Sequence, residues 1–198
     1  MTDRRTLTLD TARLQLRALQ PADAPALFAI HAAPEFARYW SSPPWTALTQ
    51  AEQLIAQDQI DLATGEHIRL GIVRKADGAL LGSCALDKLH GSNRRAEIGY
   101  GLGPAYWGSG YALEAVRVLL DFGFADAAAG GLGLHRVEAD IDPENRGSAK
   151  LLERLGFSLE GRLRERWIVA GVISDSAIYG LLQCDWRRAA VRNAALAD

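Results

Sequence analysis

From Arg13 the chain runs Leu, Gln, Leu, Arg, Ala, Leu, alternating apolar and polar side chains as a strand with one buried face must. A helix is expected from Pro21 to about Ala33, with Asp23 and two prolines near its start. Residues Tyr39 to Trp45 hold a tyrosine, two tryptophans and a Pro-Pro pair and read as an ordered loop. Thr49-Gln-Ala-Glu52 has the form of a capping box opening a helix to Thr64, where Gly65 can stop it. His67-Ile-Arg-Leu-Gly-Ile alternates again, Asp77-Gly78 supplies a hairpin turn, and Ala79 to Leu89 returns. After a loop at Gly91-Ser-Asn comes Arg95 to Leu102. Ala96, Ile98, Tyr100 and Leu102 share one face of this strand, and Glu97, Gly99 and Gly101 share the other. A face of one carboxylate and two glycines is poor core material and suggests a bulge, or close approach by another backbone or a ligand.

The second half changes period. Tyr111 to about Ala127 reads as a helix ended by Gly130-Gly131, Leu134 to Ile141 as a strand, and Asp142-Pro-Glu-Asn as a turn. Arg146 to Leu155 is a short helix stopped by Gly156; Phe157–Val169 and Val172–Leu182 form a last strand pair around Ala170-Gly171. The tail at 185–198 is Ala/Arg-rich and reads as a frayed helix. With no repeat or linker, residues 1–198 form one α/β (α+β) domain: a mixed sheet with helices on both faces.

Composition narrows the class. The 198 residues are 48% apolar and 23% charged with a net charge of −2, too apolar and too neutral for a disordered chain. No apolar run approaches the roughly 18 residues of a membrane span, and the start lacks the apolar stretch of a secretion signal. Near-neutral charge gives no general field for nucleic acid. Cys84 and Cys184 fit no zinc or redox spacing and read as reduced thiols packed in strands; the four histidines show no ligand-spaced pair. A cytoplasmic protein without metal, membrane or nucleic-acid partner is expected, as monomer or homodimer.

Candidate chemistry starts at Pro104-Ala-Tyr-Trp-Gly-Ser-Gly-Tyr-Ala-Leu-Glu-Ala, where a strand gives way to a helix across Gly108 and Gly110. Glycines let successive N–H groups turn toward one point, and a helix start adds about half a positive charge, so the loop suits a pyrophosphate. A tight turn needing glycine only for its backbone angles is the plainer reading. Leu113 replaces the third glycine of a dinucleotide fingerprint, the loop has no P-loop lysine, and Trp107 breaks a hydrolase G-x-S-x-G. Asn145 and Ser148 stand at the mouth of the next helix, where an N-cap is the bland reading of Asn145.

Glu97-Ile-Gly-Tyr, Trp107-Gly-Ser-Gly-Tyr-Ala-Leu-Glu-Ala115 and Asn145-Arg-Gly-Ser-Ala-Lys-Leu-Leu-Glu-Arg-Leu-Gly-Phe157, in that order, resemble the GNAT superfamily of N-acetyltransferases. The likeness is nearest the RimJ/RimL branch, the ribosomal-protein N-terminal acetyltransferases. Thr11-Ala-Arg-Leu-Gln-Leu-Arg and Asp175-Ser-Ala-Ile-Tyr-Gly-Leu extend it over roughly residues 8–183. It implies a largely antiparallel central sheet of about seven strands, with strands 4 and 5 splayed apart around the coenzyme. It also implies acetyl-CoA as donor and a primary amine as acceptor, a peptide N-terminus or a small molecule. Backbone N–H groups of Trp107, Gly108, Ser109, Gly110, Tyr111 and Ala112 would hold the pyrophosphate. Tyr100, Gly101 and Leu102 would pair with the pantetheine arm, and Asn145 would contact it. Trp107 departs from the superfamily's Gln or Arg but is common in this branch.

Direct transfer needs an uncharged amine, and an alkyl amine of pKa near 10 is only about 0.1% neutral at pH 7. Glu97 is the candidate base; its rival role is an ion pair with Arg95 or Arg136. Ser148 matches a serine proposed to protonate the leaving thiolate; hydrogen bonding to sulfur, or helix capping, are its alternatives. One relative has a second carboxylate where this chain has Trp167, which leaves Glu97 without that support. A backbone N–H near Ile98 to Tyr100 would face the developing oxyanion. Tyr39 and Trp40, with Trp45, would line the acceptor pocket or simply pack. Arg146, Lys150 and Arg154 form one helix stripe facing solvent or phosphate. A silent acyl-CoA-binding domain would keep the glycine loop and need no base.

Overall fold

The computed structural model describes residues 3–188. Eight strands form one sheet, β1 (Thr8–Asp10), β2 (Leu14–Arg17), β3 (Ile68–Arg74), β4 (Leu80–His90), β5 (Arg95–Leu102), β6 (Arg136–Ile141), β7 (Ser158–Val169) and β8 (Val172–Leu182), in the order β1-β2-β3-β4-β5-β6-β8-β7. Every neighbouring pair is antiparallel except β5–β6. The count exceeds the expected seven by β1, whose three residues are too few to show an alternation.

The helices α1 (Ala24–Ala32), α2 (Pro34–Ala37), α3 (Leu48–Thr64), α4 (Tyr111–Phe124) and α5 (Arg146–Arg154) flank the sheet. Ala96, Ile98 and Leu102 of β5 bury with Ala115, Val116 and Leu119 of α4, the Ile, Leu and Val side chains each contributing about 1.5–3 kcal/mol. On the opposite face, Gly101 of β5 meets Phe36 of α2 and Trp40 just beyond it. Helices therefore cover both faces, as the pattern predicts.

Boundaries moved where side chains captured the backbone. The first expected helix splits into a 3₁₀ turn at Pro21–Asp23 and α1, because the Asp23 carboxylate accepts from the Gln20 amide at 2.7 Å and holds Arg17 at the same distance. α3 begins at Leu48, ahead of the expected box at Thr49 and Glu52, because Gln50 Oε1 reaches back to the amides of Thr46 (2.8 Å) and Ala47 (3.1 Å). α4 stops at Phe124, three residues early: the amides of Gly133 and Leu134 return to cap the carbonyls of Ala125 and Gly123 at 2.8 and 2.9 Å. Residues 183–188 continue β8 as a helical segment docked through Trp186, whose ring packs near Phe124 and whose Nε1 donates to Asp121 at 2.9 Å. The frayed remainder expected at 189–198 lies outside the described residues. No helix among the described residues is long and apolar enough to cross a membrane.

Candidate functional site

The β5–β6 ladder is short. Arg95, Ala96 and Glu97 pair with Arg136, Val137 and Glu138; β5 then runs on to Leu102 and β6 to Ile141 without further pairing. Beyond Glu97 the strands part, so backbone groups of β5 that point away from β4 have no strand partner. This is the expected splay, between β5 and β6 once the extra β1 is counted.

Trp107, Gly108, Ser109 and Gly110 lead from β5 into α4, whose first residues are Tyr111 and Ala112. Gly108 (φ 72°) and Gly110 (φ 78°) both take the left-handed conformation, and Gly110 caps α4. Among the described residues the amides of Gly108 to Ala112 carry no hydrogen bond, and a Cβ at Gly108 would project into open space. Five free N–H groups at a helix start have the chemistry to cradle an anion. Two struts hold it. Trp107 Nε1 donates to the Leu102 carbonyl at 2.7 Å. Arg13 donates to the Ser109 carbonyl at 3.1 Å, lies 4.5 Å from the Tyr111 ring centroid and pairs with Glu114 at 2.6 Å. Burial alone would raise the Glu114 carboxyl's pKa; hydrogen bonds from Thr11 and Arg13 overcome it and hold the group below its ordinary value.

α5 meets the other side of the splay. Asn145 is an N-cap, its Oδ1 accepting from the Ser148 amide at 3.1 Å. Ser148 thus supplies the capped N–H rather than the cap, and its carbonyl accepts from Tyr100 Oη at 3.4 Å. Burial pushes the Tyr100 phenol up to about 12, so it stays a neutral donor. Arg146, Lys150 and Arg154 are exposed.

Glu97 lies on the opposite face of β5 and pairs with Lys88 at 2.7 Å, not with Arg95 or Arg136, which both hold Glu138. A β-bulge in β4 between Asp87 and His90, with Lys88 at φ 50°, makes that pairing possible. Trp40 reaches the same face: a Cβ at Gly101 would sit 2.6 Å from Phe36 Cε2 and 3.2 Å from Trp40 Cζ3. The glycine at 101 is therefore required by an aromatic wall, a side-chain approach in place of the backbone or ligand the strand pattern suggested. Tyr39 instead lies against Arg38, whose Cζ is 5.1 Å from its ring, and Trp45 stacks on His31 at 4.0 Å. Trp167 donates from Nε1 to Ser176 Oγ at 3.0 Å.

Sequence reasoning missed four polar residues on this face. Asp87 stands opposite Glu97 in the β4–β5 register and contacts His67 Nδ1. Behind His67, Asp58 of α3 is buried and pairs with Arg69 at 2.8 Å. Asp140 of β6, two residues past the last β5 pairing, has an 8% exposed side chain held by Arg166 at 3.3 Å; its Oδ1 has no partner among the described residues. Only the three-dimensional register aligns these positions, since they come from α3, from the residue before β3, from β4 and from β6.

Cys84 is fully buried, and burial pushes its thiol up to about 12, so it is no thiolate nucleophile. Cys184 is exposed, and no metal-ligating cluster occurs among the described residues.

The acetyltransferase (GNAT) domain family matches residues 13–158. An uncharacterized N-acetyltransferase, p20 of Bacillus licheniformis, is 37% identical over 179 residues, 90% of this chain and 98% of that protein. YdaF of Bacillus subtilis, provisionally named a ribosomal N-acetyltransferase, is 32% identical over 148 residues, 75% of this chain and 77% of that one. The structure of a spermidine N-acetyltransferase from Vibrio cholerae with CoA and spermine aligns with a TM-score of 0.77 at 24% identity, covering 89% of this chain and 99% of that chain. At that identity the likeness concerns the fold.

Proposed function

Because the chain belongs to the GNAT family of acetyltransferases, we propose that it moves the acetyl group of acetyl-CoA directly to a primary amine, a protein or peptide N-terminus being the favoured acceptor. The carrying observation is the early end of the β5–β6 ladder beside a loop with five unbonded amides. A diphosphate fits that loop and an extended thioester arm fits the unpaired edge of β5, so the residues present suit the coenzyme.

In this reading the amides of Gly108 to Ala112 bind the diphosphate, and Tyr100, Gly101 and Leu102 pair with the arm. Asn145 spends one oxygen on its cap and keeps its amide nitrogen for the arm. When bound, acetyl-CoA supplies an activated acyl group. Unpaired N–H groups near Ile98 to Tyr100 donate to its carbonyl oxygen as charge develops there. Glu97 accepts the amine's proton, directly or through water, after loosening its contact with the mostly exposed Lys88. Ser148 donates a hydrogen bond to the departing sulfur, and Trp40 borders the acceptor. With no cysteine among the described residues placed at the splay to take the acyl group, direct transfer is the simpler route.

YdaF supports the peptide acceptor. The carboxylates of Asp87, Glu97 and Asp140 on the acceptor face support a second reading, a small amine carrying more than one positive charge. Calorimetry with acetyl-CoA, then thiol release over N-terminal peptides, polyamines and aminoglycosides, decides. Binding without turnover on any acceptor would leave a silent acyl-CoA-binding domain. In the active protein, Glu97→Gln should lower turnover at pH 7 and lose less at pH 9, where the amine is partly neutral unaided; wild-type rates at both pH values would remove Glu97 from the chemistry.

A further inference from the structure

A row of ionisable side chains crosses the sheet on the acceptor face. Asp87 pairs in register with Glu97, and Glu97 with Glu138. His67 precedes β3 at the rung next to Ile68↔Leu86, and its Nδ1 is in direct contact with Asp87 Oδ1. The Asp87 carboxylate leans along the sheet: its Oδ2 lies 3.6 Å from where a Cβ at Gly99 would stand. It therefore stands against the space left by the missing side chain at 99, beside the opening between β5 and β6. Glu97 is tied to Lys88, whereas Asp87 is tied to a group that can itself accept a proton.

The pocket behind His67 is built for a proton. His67 Nε2 is buried without a hydrogen bond among the described residues, 3.9 Å from Asp58 Oδ1, and Asp58 Oδ2 is likewise buried and unpartnered. Burial raises the Asp58 carboxyl to about 6, against the pull of Arg69 and His67. The charged and titratable groups around this cluster are Asp58 and Asp61 from α3, His31 from α1, Arg69 from β3, Asp87 and Lys88 from β4 and Glu97 from β5. A strut needed only to join β3 to β4 would not require two orphaned polar atoms behind it.

Resting on the acetyl-transfer reading above, we propose that Asp87 is a proton acceptor of the acceptor site and that His67 is the positioning residue behind it, drawing the proton away. An N–H bond of the ammonium breaks and an O–H bond forms at Asp87. The freed lone pair bonds to the acetyl carbon, and the C–S pair leaves on sulfur. Asp87 shares this proton with His67 across their direct contact, the second N–H proton passes through Glu97 to solvent as the amide forms, and solvent or Ser148 protonates the thiolate.

The test uses the full chain and whichever panel amine the wild type acetylates fastest. CoA affinity is followed by calorimetry and kcat from pH 6 to 10. Asp87→Asn should lower kcat at pH 7 by about 100-fold, the loss shrinking as pH approaches the amine's pKa, with CoA affinity unchanged. Asp87→Glu should recover part of the rate, and His67→Gln should lower kcat about tenfold and displace the pH profile without changing KM for acetyl-CoA. Wild-type kcat and pH profile in Asp87→Asn, or in both Asp87→Glu and His67→Gln should the first variant not fold, would overturn the proposal. An inactive wild type would instead overturn the acetyl-transfer reading, and this one with it.

Discussion

The indole nitrogen of Trp107 donates to the carbonyl of Leu102 at 2.7 Å, closing the end of β5 onto the loop that follows it. The ring is half exposed, so its energy lies mostly in this bond and in the loop shape it fixes. Trp107→Phe should reduce stability by about 1 kcal/mol and weaken CoA binding several-fold, because the carbonyl is left unpaired and the loop loses its strut. Denaturant unfolding and calorimetry check both. Unchanged CoA affinity would show that the loop keeps its shape without the indole.

The two loop glycines give a cleaner comparison. Each has positive φ, so Ala at either costs about 1–2 kcal/mol of backbone strain. A Cβ at Gly108 would meet nothing, and one at Gly110 would meet only Arg13 Nη2 at 3.5 Å, an ordinary contact. Crowding by the protein is therefore not what excludes a side chain; strain, and obstruction of a bound diphosphate, are. Both Gly108→Ala and Gly110→Val should weaken CoA binding by more than their effect on stability explains. If affinity falls only in step with unfolding free energy, the phosphates lie elsewhere.

Much of this was legible in the chain because local chemistry fixed it. Gly108 and Gly110 demanded a turn, Asn145 a cap, and the period-2 run at Arg95–Leu102 a strand with an under-filled face. What escaped reading depended on distance in sequence. The Lys88–Glu97 pair needs a bulge that no spacing announces, and the wall over Gly101 needs α2 to fold back across β5. The Asp58, His67 and Asp87 cluster joins three elements through register alone. Helix ends drifted for a related reason: Gln50 and Asp23 captured amides that the expected caps left free.

Gly99 and Gly101 separate the two halves of the under-filled face. A Cβ at 101 would lie 2.6 Å from Phe36, whereas at 99 the nearest atom is 3.6 Å away. Gly101→Ala should cost about 1–3 kcal/mol by displacing Phe36 and Trp40, and should raise KM for the acceptor. Gly99→Val, whose branches extend beyond a Cβ that by itself makes only an ordinary contact, should crowd Asp87 and lower kcat. Steady-state kinetics with both variants would locate the acceptor; identical profiles would detach Trp40 from its binding.

His31 carries the sharpest pH prediction. It lies buried beneath Trp45 and beside Phe36, and burial, with the nearby Arg69 charge, pulls its pKa down from 6.5 to about 4. The unfolded chain binds a proton here between those values and the folded chain does not, so the stabilising contribution is present above about pH 6.5 and is lost as pH falls toward 4. The loss amounts to at most about 3 kcal/mol. His31→Phe keeps a ring against Trp45 and cannot titrate, so its unfolding free energy should fall less than wild type's between pH 7 and 4.5. Denaturant titrations at the two pH values measure the difference. Parallel losses in both proteins would mean that His31 is solvated or paired when the fold is acidified.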